Sequence, residues 1–504
     1  MPNPLHDALF APLAGRAAAL LHLPDGGRIS GDGFARMIAR SANALDASGL
    51  KPGDRLAAQI PKSPEALAVY GAAVAAGVIF LPLNTAYTAE EVAYFIDDSG
   101  ASLLLADPEN AQMLTPIARR SGARLMTLGA DGTGSFAELA AAQPETFAAV
   151  ARSPDDLAAL LYTSGTTGRS KGAMLTQRNL LSNAEVLVRS WGFGPNDTLL
   201  HALPIFHTHG LFVATNVSLL SGGSMILLPG FDIDAVIGAL PRATAMMGVP
   251  TFYTRLLSDA RFDRDLVGHM RLFVSGSAPL LAQTHDAFAA RTGHRILERY
   301  GMTETNMNTS NPLDGERRAG TVGHALDGIT VRITDPDSAA ELPQGETGMI
   351  EVRGPNVFSG YWGMPDKTAE ELRLNGFFIT GDLGRLDSDG YLHIVGRQKD
   401  LIISGGYNIY PKEVEQLLDA ADGVAESAVI GVPHPDFGEA VIGVVVPAPG
   451  RTPDPQAILD TLTNRLARFK QPKALITLDA LPRNTMGKVQ KNTLRERFRD
   501  HFAT

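Results

Sequence analysis

The chain has 504 residues, with 44 Lys+Arg against 54 Asp+Glu, a formal charge of −10, 44% hydrophobic and 19% charged residues. This size and composition predict several domains with buried cores and exclude a disordered chain. Acidity without a Lys/Arg-rich run makes nucleic acid and anionic membranes poor partners, and the absence of cysteine excludes disulfides, Cys-zinc sites, iron–sulfur clusters and a cysteine nucleophile.

Cysteine usage also fits a cytoplasmic location. The opening Met1-Pro-Asn-Pro-Leu-His-Asp7 lacks the basic region and apolar run of a signal peptide. Phe34–Ala47 reads as a helix, Arg55–Gln59 as a strand and Pro64–Ala76 as a helix. The uncharged stretch Ala66–Leu83 resembles a membrane span, but Gly71, Gly77 and Pro82 punctuate it. It reads instead as a buried helix followed by a strand over Val78–Leu83. Apolar runs at Ser102–Ala106, Leu157–Leu161, Leu199–Leu203, Ser224–Leu228, Ala243–Gly248 and Leu272–Ser275 continue the alternation. It predicts an α/β chain with layered parallel sheets.

The sequence then becomes rich in strands and turns, at Val331–Thr334, Gly348–Arg353 and Tyr391–Val395. A polar segment at 396–400 marks a boundary. Beyond it, Pro411 opens a helix, Val424–Val432 and Ala440–Val446 read as strands, and Pro455–Ala467 and Asn492–Phe502 read as helices. The expected organisation is an N-terminal domain over 1–396 with a β-rich subdomain, a hinge at 397–400, and a small mobile α+β domain over 401–504.

The strongest local signal is Tyr162-Thr-Ser-Gly-Thr-Thr-Gly-Arg-Ser-Lys-Gly172. It follows a buried strand and precedes a helical stretch. Small residues bring the backbone close to an anion, and N–H groups, hydroxyls and Lys171 together suit a polyphosphate. A Walker A loop fails on spacing, because position 170 is Ser where that motif needs its second Gly. Gly168-Arg-Ser170-Lys-Gly172 matches a hydrolase nucleophile elbow in letters only, because an elbow serine sits directly after its strand.

With this loop the sequence resembles the adenylate-forming superfamily of acyl-CoA synthetases, adenylation domains and luciferase-like enzymes. The resemblance runs from about residue 30 to the C-terminus, with Ser170 where the family usually has Pro. It implies ATP contacts from Thr163, Ser164, Gly165, Thr166, Thr167, Gly168 and Tyr300, with Lys171 on the phosphates. In Tyr300-Gly-Met-Thr-Glu-Thr305 it implies that Thr303 contacts the α-phosphate and Glu304 holds Mg²⁺, a hard cation suited to oxygen ligands. Asp382 and Arg397 are implied ribose contacts, Lys399 the hinge, and Gly405 and Gly406 the channel for the pantetheine arm of coenzyme A. Pro482-Arg-Asn-Thr-Met-Gly-Lys488 resembles the segment of the catalytic lysine, whose ammonium would stabilise charge developing on the phosphoryl oxygens.

Lys488 would obstruct a thiol, so the resemblance implies a rotation of the small domain between two half-reactions. With no carrier domain, free coenzyme A is the expected acceptor. A lysine acyltransferase acting on Lys488 would remove the charge the chemistry needs. Oligomeric state stays open.

The acyl pocket is expected among Phe206–Gly210, Pro250–Arg255, Ser277 and Met307, a neighbourhood with two His and an Arg where a fatty acid would want an apolar wall. A closer likeness to malonyl-CoA synthetases, at His207-Thr-His-Gly-Leu211 and Glu304-Thr-Asn-Met-Asn-Thr-Ser310, implies malonate or methylmalonate. Arg255 is expected to bind the distal carboxylate with His207 and Ser277, and Thr208 and Met307 to border C2. Another short acid, an amino-acid adenylation module and a non-catalytic nucleotide-binding scaffold are the alternatives. Against the adenylation module, no acidic residue lies in Ile205–Gly210.

Overall fold

A computed structural model describes residues 2–163, 170–404, 407–463, 465–484 and 487–502. The chain forms two compact units. The first holds 1–319, 323–330 and 352–378, and the second holds 320–322, 331–351 and 379–504. Compactness thus groups much of the expected β-rich subdomain with the C-terminal residues.

The first unit contains two sheets. In the six-stranded sheet the spatial order is Arg124–Thr127, Leu103–Ala106, Arg55–Gln59, Ile79–Pro82, Leu157–Thr163 and Lys171–Thr176. All neighbours are parallel except the last two, which form an antiparallel hairpin. The segment after the phosphate loop is therefore first a strand, and only then the helix Gln177–Ser190. The anion loop joins two strands and does not open a helix.

In the nine-stranded sheet, Leu297–Met302, Leu272–Ser275, Ala245–Gly248 and Thr198–His201 lie side by side and parallel. In parallel sheets, ligands bind outside the carboxyl ends of the strands. Those four ends lead directly into 207–210, Pro250, Gly276-Ser277 and Thr303-Glu304, so segments far apart in sequence converge. The core beneath them packs Tyr253, Phe273 and Phe288 with Leu256, Phe262 and Met246.

The helix Pro64–Ala76 begins at Ser63, whose hydroxyl accepts from the Ala66 N–H, and ends at Gly77 in the left-handed region at φ 69°. Small residues bury it on every side, and the strand Ile79–Pro82 follows. Among the described residues no helix is long and apolar enough to cross a membrane.

The second unit contains the bulk of a four-stranded sheet and a five-stranded sheet built on the hairpin Val424–His434 with Gly438–Pro447. Period-2 alternation divides that hairpin between two cores. Val429, Val441 and Val445 face Val414, Leu418 and Ile458, whereas Ile430, Val432 and Val444 face Leu481 and Leu494.

Candidate active site

The phosphate loop is anchored at both roots by the helix Ala89–Ser99, whose capping box joins Thr88 and Glu91. The Tyr94 hydroxyl donates to the Ser170 carbonyl at 2.7 Å, and the Tyr162 hydroxyl donates to Asp98 at 2.5 Å. Thr163 pairs with Lys171 across the hairpin. Ser164, Gly165, Thr166, Thr167 and Gly168 lie outside the described residues. Ser170 precedes a strand, so the strand-to-helix turn of a nucleophile elbow is not what holds it.

Lys171 Nζ lies 3.0 and 3.3 Å from the two oxygens of Glu371 and 4.0 Å from the centroid of the Tyr361 ring. The Tyr361 hydroxyl is 2.6 Å from Glu371 Oε2 and 3.0 Å from Glu304 Oε1. One phenolic proton thus bridges two carboxylates. Burial, reinforced by Glu304 and Glu371, pushes the phenol upward, so it stays protonated. Burial alone would raise Glu371, but hydrogen bonds from Tyr361, Lys367 and Lys171 outweigh it and hold Glu371 below the usual carboxylate range.

Glu304 sits in the tight turn between Leu297–Met302 and Asn306–Ser310, next to the half-buried Thr303 and near the buried Tyr300. Its own carbonyl accepts from the Phe358 N–H at 2.8 Å. Among the described residues no group of three His, Asp or Glu could hold a metal ion. A single buried carboxylate suits Mg²⁺, which takes one or two carboxylates together with substrate phosphates and water.

The acyl corner is built differently. Arg299 is 3% exposed, and its guanidinium lies so close to Gly276 that a Cβ there would fall 2.3 Å from Cζ. Its Nε and Nη2 have no hydrogen-bond partner among the described residues, nor does Nε2 of the fully buried His209. His209 Nδ1 lies 3.2 Å from Ser277 Oγ, and Ser277 holds a left-handed φ of 69°. Burial, with Arg299 and His207 nearby, keeps His209 neutral. Burial pushes Arg299 down to about 9, still charged at neutral pH.

The Thr208 hydroxyl donates to Asn306 Oδ1 at 2.6 Å, which leaves its methyl as the face it can offer a ligand. Asn183 brackets the Met307 peptide, donating to its carbonyl at 2.8 Å and accepting from its N–H at 3.2 Å. His207 Nδ1 accepts from the His209 N–H at 3.3 Å. Arg255 is exposed in the last turn of Pro250–Leu257, 5.9 Å from the Phe231 ring centroid. The buried guanidinium of this corner is Arg299, which sequence reasoning missed. The available signal was a charged Glu298-Arg299 pair inside an otherwise apolar strand.

In the second unit, Asp382 is 4% exposed and pairs in register with Arg397, Nε to Oδ1 at 2.8 Å. Lys399 lies in the turn 398–400, where Asp400 accepts from Arg495 at 2.8 Å. Lys488 is exposed, in a turn where its N–H donates to Asn484 Oδ1 and its carbonyl accepts from the Asn484 N–H, both at 2.9 Å. Gly405 and Gly406 lie outside the described residues. Nearby, Tyr407 stacks on Phe469 at 4.5 Å, and Lys473 Nζ lies 5.2 Å from the Phe437 ring centroid.

The chain belongs to the family of AMP-binding enzymes. The family model matches residues 12–362, and the model of the family's C-terminal domain matches 413–488. The sequence is 40% identical to a feruloyl-CoA synthase from Amycolatopsis sp over 472 residues, 92% of this chain and 93% of that one. It is 35% identical to a malonate–CoA ligase from Arabidopsis thaliana over 453 residues, 83% of this chain and 74% of that one. The structure is similar to ATP-bound MatB from Rhodopseudomonas palustris, with a TM-score of 0.98 and 56% identity, covering all of both chains.

Proposed function

We propose that this chain is an AMP-forming acid–CoA ligase that converts malonate, and methylmalonate as a branched alternative, into the CoA thioester. A carboxylate oxygen of the diacid attacks the α-phosphorus of ATP. The bond to pyrophosphate breaks, and an acyl-AMP forms. The thiol sulfur of coenzyme A then bonds to the acyl carbon, AMP leaves with the electron pair of the broken C–O bond, and the thiol proton is released.

The single observation that carries the diacid is Arg299. A buried guanidinium whose Nε and Nη2 have no partner among the described residues, beside an imidazole nitrogen that has none there either, calls for an anion in fixed geometry. A feruloyl side chain would bring an aromatic ring and no second carboxylate. The distal carboxylate is therefore assigned to Arg299, His209 and Ser277, in place of Arg255, with the Thr208 methyl and Met307 beside C2.

Lys171 and Thr303 meet the phosphates, Tyr300 the adenine, and Asp382 with Arg397 the ribose. Mg²⁺ at Glu304 would neutralise developing phosphate charge. Lys488 would stabilise the phosphoryl oxygens, and movement about Lys399 would exchange it for the Gly405-Gly406 face. Lys488 stands exposed, as modification by an acyltransferase requires. Exposed Phe437 and Tyr407 with Lys473 offer stacking and charge for the nucleotide end of coenzyme A.

The deciding measurement is thioester formation with malonate, acetate, octanoate and ferulate. Malonate is expected to lead by at least about 10²-fold in kcat/KM, the range of a buried charge pair. Ferulate or octanoate outrunning malonate would overturn the assignment. Lys488→Ala is expected to lower acyl-adenylate formation by about 10²–10³-fold.

A further inference from the structure

Lys62 immediately precedes Ser63 and the helix Pro64–Ala76, and its ammonium is spent on one small cluster. Nζ donates to the His201 carbonyl at 2.8 Å, to the Leu203 carbonyl at 2.8 Å, and to His201 Nδ1 at 2.9 Å. An ammonium has three donors, and all three are satisfied without a carboxylate. The residue keeps some surface, and burial pushes its pKa well below the usual lysine value. But two carbonyls and His201 Nδ1, an acceptor because Nε2 faces the Gly210 carbonyl, call for three N–H donors that only the ammonium supplies.

The contact with Nδ1 fixes the His201 tautomer, because a donor facing Nδ1 leaves the ring proton on Nε2. Nε2 then donates to the Gly210 carbonyl at 2.9 Å, with Thr215 Oγ1 also 3.2 Å away. Gly210 can carry no side chain, since a Cβ would meet the Pro204 carbonyl at 2.0 Å. It is the second residue of the run His209–Thr215, wound as a π-helical turn, the irregularity that commonly shapes functional sites. The same helix Pro64–Ala76 also touches this turn through Tyr70, whose ring centroid is 5.7 Å from that of Phe212.

Lys62 therefore ties the end of Thr198–His201 to the segment that carries His207, Thr208 and His209. It also places a positive charge behind His201, on the same corner as Arg299. We propose that Lys62 is a positioning and specificity residue of the acyl pocket. Acting through His201, it sets the 207–210 segment, and its charge favours an acid that brings a second carboxylate. This rests on the diacid reading above.

The test compares kcat/KM for malonate and for acetate, together with KM for ATP, in the parent, Lys62→Met and Lys62→Arg. In Lys62→Met the malonate-to-acetate ratio is expected to fall by about tenfold or more, with KM for ATP within about twofold. The scale is that of one lost charge acting at a distance inside a protein. Lys62→Arg, which keeps the charge, is expected to recover most of the ratio. If Lys62→Met does not accumulate as folded protein, Lys62→Gln carries the same comparison. A parent that prefers malonate, with a variant that loses both acids equally or keeps its ratio, overturns the role of Lys62 alone. A parent that prefers acetate overturns the diacid reading and this proposal with it.

Discussion

Two corners of the first unit, both built on buried charge, are finished in opposite ways. At the phosphate corner, Lys171, Tyr361, Glu371 and Glu304 are joined by hydrogen bonds, and cations and carboxylates answer one another. At the acyl corner, Arg299 and Lys62 are cations without a carboxylate partner among the described residues, and His209 keeps an unpartnered nitrogen. A compensated network holds its shape whatever acid is offered. An uncompensated one gains most from a ligand that brings the missing charge. In the proposed function the first corner serves the step common to every acid, and the second chooses the acid.

The comparison breaks most visibly at Glu304. Glu304→Gln keeps an acceptor for Tyr361 but removes the charge, and should lower acyl-adenylate formation by about 10²–10³-fold for every acid alike. Pyrophosphate release with malonate and acetate checks this, and a loss confined to malonate would merge the two corners into one. Arg299→Met should lower kcat/KM for malonate by about 10²-fold while leaving acetate within a few-fold, the cost of stranding the distal carboxylate. Parallel losses for both acids would make Arg299 a mere core residue.

Glu371→Gln is milder. Lys171 keeps the Tyr361 ring but loses its anion, and KM for ATP should change by about three- to tenfold with the malonate-to-acetate ratio unmoved. The smallest effect on activity belongs to Asp419 in the second unit. Burial, against a hydrogen bond from Ser427 at 2.7 Å, pushes this carboxyl up to about 6. Between the ordinary carboxylate value and 6 the folded chain binds more protons than the unfolded one, so stability falls as pH rises through that window. Asp419→Asn should remove this slope and stabilise the chain at pH 7 by about 1–3 kcal/mol, read by urea unfolding at pH 4.5 and 7.

Much of the phosphate corner was legible because its residues are consecutive. The runs 162–172 and 300–305 carry their motifs in local spacing, and the strands Arg55–Gln59 and Leu272–Ser275 and the helix Pro64–Ala76 match their apolar patterns to the residue. The strand at Lys171–Thr176 was hidden because a hairpin's pairing depends on a partner, not on its own sequence. Glu371 and Tyr361 escaped because they reach Lys171 from two hundred residues away. Arg299 escaped for the same reason, since only sheet order sets strand 297–302 beside 272–275. Arg255 looked attractive because it follows a pocket-lining turn, but helical phase carries its side chain outward. A lysine before a helix cap usually reads as solvated, and no local cue showed the carbonyls waiting for Lys62.

The closeness of Arg299 to Gly276 also constrains how such a pocket diversifies. Enlarging position 276 to suit a smaller or neutral acid would push the guanidinium out of the place it now fills. In the proposed function a change at 276 and a change at Arg299 are therefore coupled, so a route to a new substrate disturbs the hold on the diacid at its first step.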